Sequence, residues 1–314
     1  MRNADGLSGG PRSRLTRRQL LGAAGGAWIA SHAAPARAAG ASSPHFELRD
    51  IQVAGDAKIG RRFTLMVPRH TRSARLPLLV LLHGLGETGD QRTGAHAWIE
   101  RYGLGRAYDR LRTPPVRSVY EGKGPLWRYW EPDRLAEVNA LLAAQPFRGL
   151  AIACPYTPNV YKAANRRKTL DAYADWLVDT VIPRARKEAG TVGDSSHTYL
   201  DGCSLGGYVG IEVFLRKPTH FGAWGTVQGA FGSHRVKRYA ERMAAVIREH
   251  GKRHIHLETS TNDTFRKVNR QLSRELGKVG VSHDWSMPPG AHNQPFLRDS
   301  GTLEMLLWHD RLPR

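Results

Sequence analysis

Three residues far apart in this chain could together carry out nucleophilic chemistry on an acyl group: a serine set between glycines, a histidine in a turn, and an aspartate just past a strand. The serine is Ser204, in Gly202-Cys203-Ser204-Leu205-Gly206-Gly207. A short β-rich run, His197-Thr198-Tyr199-Leu200, leads into it, and Tyr208 to Leu215 follows with enough apolar residues for a buried helix. Strand, Gly-x-Ser-x-Gly and helix in succession predict a turn so tight that side chains two positions before and after the serine would clash. Such a turn pushes the Ser204 hydroxyl into the open and aims the next backbone N–H, that of Leu205, at the same space. The other reading is a plain glycine-rich turn at a strand end, and the rest of the chain has to decide between the two.

The serine needs a base, an acid behind the base, and donors for a developing oxyanion. Pro289-Gly290-Ala291-His292-Asn293 follows the last expected strand, and its glycine and prolines make a loop that can return an imidazole over the sheet. His292 is therefore the candidate base. His254 and His256, two apart on a strand, are read as structural because no further metal ligands cluster near them in sequence. Ile255 to Thr259 runs as a strand into a polar loop with Asp263 at its tip, which makes Asp263 the candidate acid. It could instead cap the helix beginning near Phe265. Glu258, inside the strand, and Asp284, in the next one, fit less well. Upstream, Leu78 to Leu82 is a continuous apolar run ending in His83-Gly84-Leu85-Gly86. Glycines there let the backbone approach a carbonyl closely, so the Leu85 N–H is the expected second oxyanion donor beside that of Leu205, with His83 bracing the loop.

These residues require elements to hold them. Strands are expected at Phe46–Val53, Phe63–Val67, Leu78–Leu82, Leu150–Cys154, Thr198–Asp201, Gly222–Gln228, His254–Thr259 and Ser282–Met287. The middle ones are short continuous apolar runs, as in parallel strands covered on both faces. Helical spacing appears at Thr169–Lys187, Val236–Glu249, Phe265–Leu276 and Thr302–Trp308. Strands alternating with helices after an initial pair of strands predict an α/β fold with a mostly parallel central sheet and helices on both faces. Residues 88–135 break the rhythm as an aromatic-rich insertion after the third strand, too long for a plain connection. Tyr120, Trp127, Tyr129 and Trp130 lie there among glycines and prolines. Tyr120, Trp127 and Trp130 are candidates to line a substrate cleft; the alternative is a satellite cluster that packs the insertion onto the domain.

Composition bounds the setting. Thr16-Arg17-Arg18-Gln19-Leu20-Leu21-Gly22 is a twin-arginine signature, with a weakly apolar run to Ala30 and small residues at Ala36-Arg37-Ala38. Residues 1–38 therefore read as an export signal, and 39–314 as a mature protein delivered, already folded, to a secreted or periplasmic location. The apolar run falls short of the ~20 residues of a spanning helix, so a membrane-spanning mature protein is not expected. The formal net charge is +19, and it falls to +14 without the six arginines and one aspartate of residues 1–38. That excess fits acidic surroundings such as anionic polymers. Nucleic acid is not expected as a partner, because the arginines are scattered and no recognition motif occurs. Cys154 and Cys203 are the two cysteines. One other strand should separate them, placing them roughly 10 Å apart and beyond disulfide reach.

Taken together, the His83-Gly84-Leu85-Gly86 loop, the Gly202–Gly207 stretch and the Lys217-Pro218-Thr219-His220-Phe221-Gly222 turn carry a resemblance, with Thr261-Asn262-Asp263 and Gly290-Ala291-His292. The chain resembles exported α/β-hydrolase esterases of the broad group containing esterase D, feruloyl esterases and polyhydroxybutyrate depolymerases, over about residues 46–310. The order Ser204, Asp263, His292 is that of α/β hydrolases. The resemblance implies the α/β-hydrolase fold and cleavage of a carboxylic ester by a serine nucleophile, with no metal or organic cofactor. The substrate would be an ester, free or polymer-linked, and the export machinery would be a transient partner. It also makes Phe296 the aromatic residue that the group often has soon after the histidine. Acyl transfer by the same triad and non-catalytic binding of an anionic polymer are the alternatives. A peptidase of the prolyl-oligopeptidase kind lacks its propeller domain here.

Overall fold

The structure, a computed structural model, describes residues 43–69, 76–119 and 129–314. The expected leader, residues 1–38, lies outside them. Eight strands form one sheet: β1 (Phe46–Gln52), β2 (Arg62–Pro68), β3 (Leu78–Leu82), β4 (Ala151–Pro155), β5 (Thr198–Gly202), β6 (Ala223–Val227), β7 (His254–Glu258) and β8 (Asp284–Ser286). Their spatial order is β1-β2-β4-β3-β5-β6-β7-β8. β1 and β2 pair antiparallel, as do β2 and β4, and every later pairing is parallel.

The sheet is covered on both faces, and its central strands β3, β4, β5 and β6 are buried at every position. β3 shows the division: Leu78, Val80 and Leu82 point into one core cluster and Leu79 and Leu81 into the other, as the two-residue period of a strand requires. The first cluster is closed by helices at Arg166–Trp176, Leu205–Phe214 and Val236–His250, and the second by helices at Leu104–Arg112 and Thr302–Arg311. The helix expected over Thr169–Lys187 extends from Arg166 to Ala189, with a π-turn at Leu177–Val181 just before Pro183. Proline has no N–H to give the preceding turn, and the wider turn absorbs the misfit. β8 is shorter than its expected span.

The insertion departs most from expectation. Far from being plain loop, it holds helices at Gln91–Glu100 and Leu104–Arg112, and a third begins at Pro132 and runs to Ala144. Leu104, Ala107, Tyr108 and Leu111 are all buried and fall at helical spacing, so this part of the insertion is an amphipathic helix with Tyr108 on its buried face. Cys154 and Cys203 are buried free thiols, with β3 between their strands. Burial raises both thiol pKa values, so neither is poised as a thiolate.

Candidate active site

The carboxyl ends of β3, β5, β6 and β7 converge on Ser204. It sits between β5 and the helix Leu205–Phe214 with φ 54° and ψ −116°, a left-handed backbone that a non-glycine residue holds only under constraint. The neighbouring glycines supply that constraint. A Cβ on Gly206 would stand 2.1 Å from the Leu82 carbonyl oxygen, and one on Gly202 would stand 2.6 Å from the Gly206 carbonyl carbon. Neither position admits a side chain, so the turn closes tightly and presents the serine. Ser204 is 7% exposed.

His292 reaches it from the loop after β8. Its Nε2 lies 3.1 Å from Ser204 Oγ, and its Nδ1 lies 2.8 Å from Asp263 Oδ1. Asp263 is fixed in turn: Oδ2 accepts the Thr259 hydroxyl at 2.6 Å, and Oδ1 also accepts the Phe265 N–H at 2.9 Å. Of the two sequence readings of Asp263, the acid reading has the required contact with His292; the helix begins at Arg266 with Phe265 at its N-cap, so the Asp263 bond to the Phe265 N–H closes the turn before the helix and is not its cap. The Phe265 ring meets the imidazole edge to face at 5.2 Å. Asp263 accepting at Nδ1 keeps the proton there and leaves Nε2 as the acceptor toward the serine.

The rival acids are elsewhere. Asp284 accepts the Trp308 indole N–H at 2.8 Å. Glu258 is fully buried, its nearest hydroxyl partner is Ser286 at 3.5 Å, and burial, with Glu304 and Asp201 nearby, pushes its carboxyl well above the usual range. A carboxyl whose charged form is disfavoured by burial is a poor partner for an imidazolium.

The loop after β3 lies against the serine: a Cβ on Gly84 would stand 3.7 Å from Ser204 Cβ. His83 is buried and pinned at both nitrogens, with Nε2 accepting the Thr157 N–H at 2.8 Å and Nδ1 donating to the Gly84 carbonyl at 2.8 Å. Burial pushes its pKa down to about 4, so it braces the loop as a neutral ring. In a trans peptide, C=O and N–H point in opposite directions, so anchoring the Gly84 carbonyl on His83 turns the Leu85 N–H the other way. Leu85 and Leu205 each open a helical turn, where the first N–H groups lack an intrahelical acceptor. A second brace was not legible from residue types and spacing. The Gly84 N–H donates to the Tyr102 hydroxyl at 3.2 Å, and that hydroxyl donates to Glu87. Both groups are buried, and desolvation raises both pKa values.

The aromatic candidates divide. Tyr120 and Trp127 lie outside the described residues. Trp130, expected at the cleft, is a packing residue instead: it is 6% exposed within a core cluster, its indole N–H donates to Asp299 at 3.2 Å, and the Arg110 guanidinium stands 6.0 Å from its ring. Tyr129 packs edge to face on Phe296 at 6.2 Å, and Phe296 is fully buried beside Gly290. His256, which had no companions in sequence, acquires them in the fold. Asp201, His256 and His309 bring their ligand-type atoms within 4.8 Å of one another. Each Nε2 lies 2.9 Å from the same Asp201 oxygen. Burial would raise the Asp201 pKa, but the two imidazoles hold it below its ordinary value. This is a buried hydrogen-bonded cluster centred on Asp201, with the His309 Nδ1 left without a partner. Gly225 makes room for it, since a Cβ there would stand 2.2 Å from Asp201 Oδ2.

The sequence matches no protein-family profile and no curated protein. The fold has many likenesses among solved structures. A ferulic acid esterase aligns over 86% of this chain and 100% of its own, at 16% identity and a TM-score of 0.61. An S-formylglutathione hydrolase from Staphylococcus aureus aligns over 85% and 98%, at 14% identity and 0.56. The enterobactin esterase of Shigella flexneri aligns over 85% of this chain and 60% of its own, at 16% and 0.54. The chain has the α/β-hydrolase fold, and the solved structures it is similar to are serine hydrolases of the esterase D and feruloyl esterase type.

Proposed function

We propose that this protein is an exported serine hydrolase that cleaves a carboxylic ester through an acyl-enzyme. The observation that carries the reading is the unbroken chain Asp263–His292–Ser204, at 2.8 and 3.1 Å, on a strained turn beside two helix-opening N–H groups. Ser204 Oγ attacks the ester carbonyl carbon as its proton passes to His292 Nε2. The carbonyl oxygen becomes an oxyanion that accepts from the Leu85 and Leu205 N–H groups; one such donor is worth about 10²–10³ in turnover. The intermediate collapses, the carbon–oxygen bond to the alcohol breaks, and the imidazolium returns its proton to the leaving alkoxide. Water, deprotonated by His292, then attacks the acyl-serine, and release of the acid restores the serine. Asp263 holds the tautomer and stabilises the imidazolium throughout. Likeness of fold to esterases supports the ester as substrate, and the twin-arginine signature supports export.

The test is ester turnover by wild type and Ser204→Ala across acetate, longer acyl and hydroxycinnamoyl esters. The variant should lose turnover by about 10⁶-fold while folding normally. Activity within tenfold of wild type would reject the nucleophile.

A further inference from the structure

We infer that Gln228 is a positioning residue for this chemistry, its side-chain amide holding the His292 loop in register with the nucleophile. The inference rests on the reading of Ser204, His292 and Asp263 as the reacting triad. Gln228 follows β6 directly, and its backbone is left-handed, with φ 55°. Among the described residues, Ser204 is the other non-glycine residue in that condition. Glutamine has no intrinsic preference for it, because its Cβ crowds the backbone there. Such a conformation persists where its surroundings impose it, and functional positions are where that recurs.

The contacts show what the conformation accomplishes. The residue is 2% exposed, and its Nε2 donates to the Ala291 carbonyl at 2.9 Å and to the Ser260 hydroxyl at 2.6 Å. A carbonyl can only accept, so the amide's orientation follows from chemistry. Ala291 immediately precedes His292. Ser260 opens the loop of the acid, and its carbonyl accepts the Asp263 N–H at 3.1 Å. The Gln228 N–H itself donates to the Glu258 carbonyl at 2.7 Å.

The same turn grips the nucleophile. The Ser204 N–H donates to the Val227 carbonyl at 3.1 Å, and the Ala230 N–H donates to the Ser204 carbonyl at 2.9 Å. Residues 227–230 thus hold the serine backbone on both sides and, through one side chain, reach the loops of both base and acid. Other bonds, such as Asn262 N–H to the Gly290 carbonyl at 2.8 Å, tie the base loop to the acid loop. Gln228 ties that pair to the turn that fixes Ser204. A base displaced by about 1 Å can cost about 100-fold in rate.

Three variants test this in the full chain: Gln228→Met, which keeps length without a donor; Gln228→Gly, which is at ease with the backbone and loses only the side chain; and Gln228→Glu. Each is measured for kcat, KM, Tm and the pH profile of kcat/KM on a small acetate ester, beside wild type and Ser204→Ala. In the Met and Gly variants kcat should fall about 10- to 100-fold, with KM within about twofold and Tm close to wild type. Gln228→Glu keeps a donor for the Ala291 carbonyl only while its buried carboxyl is protonated, so its kcat/KM should fall further below wild type as pH rises, and Gln228→Met should show no such added pH dependence. Turnover within about twofold of wild type in a folded Gln228→Gly overturns the inference. So does a loss that merely follows Tm while the Gln228→Glu profile keeps the wild-type shape. Turnover retained in Ser204→Ala would instead overturn the triad reading itself, whatever Gln228 does.

Discussion

Asp263 and Glu258 stand five residues apart on one strand and its loop, and their surroundings differ sharply. Asp263 accepts three hydrogen bonds, from Thr259, Phe265 and His292. Glu258 is buried with a poor partner, and burial pushes its carboxyl well above the usual range. Asp263→Asn should keep the geometry, favour the wrong imidazole tautomer and cost about 10³–10⁴ in kcat, whereas Glu258→Gln should change kcat little. Stability separates them as well. A carboxyl whose pKa is raised by folding contributes stability below its unfolded value, near 4.3, that is lost as pH rises toward the folded value. Glu258→Gln has no charge to suppress, so its Tm should gain on wild type steadily from about pH 4.5 to pH 8, as calorimetry would show. A gap that does not change with pH would contradict the raised pKa of this carboxyl. At this scale the serine, histidine and aspartate were legible as candidates, because each residue type stands at a strand end with glycines or polar residues around it. Gln228, Tyr102 and Glu87 were not. Gln228 and Tyr102 act on backbone groups, and Glu87 acts through the Tyr102 hydroxyl; folding brings all of these together, and no spacing of residue types marks such contacts.

At the scale of elements, all eight strands were legible, the continuous apolar runs of β3 and β4 most plainly, since such runs have few alternatives in an α/β chain. The insertion was misread because its aromatic and proline content masked the helical spacing of Leu104, Ala107, Tyr108 and Leu111. The same masking placed Trp130 at the cleft when its ring fills the core and its N–H serves buried Asp299, which also accepts from Ser118 at 2.6 Å and from the Val119 N–H at 2.9 Å. Trp130→Ala should therefore cost about 3–5 kcal/mol of stability, by cavity formation and loss of a partner for Asp299. Its effect on KM should be equal for a bulky and a small ester. An unchanged Tm with a KM raised only for the bulky ester would return Trp130 to the substrate site.

For the whole molecule, the strand order was the least legible feature. β4 lies between β2 and β3, and β5 is added on the far side of β3. Hydrophobicity shows that a strand is buried on both faces without naming its neighbours. Yet this order is what gathers the loops after β3, β5, β6 and β7 at one end of the sheet. Export belongs to this scale too. Arg17→Lys with Arg18→Lys should retain the precursor inside the cell, because the signature depends on a guanidinium pair rather than on charge alone. Undiminished export in a cell-fractionation assay would remove the twin-arginine route.

The central claim is that one serine, activated by His292 and presented on the turn after β5, becomes acylated. Its most direct measurement is reaction of the folded protein with a fluorophosphonate, followed by peptide mapping by mass spectrometry. One adduct per chain, carried by Ser204 and absent from Ser204→Ala, is the predicted result. A folded wild-type protein that takes up no label, or an adduct mapped to another residue, would contradict it.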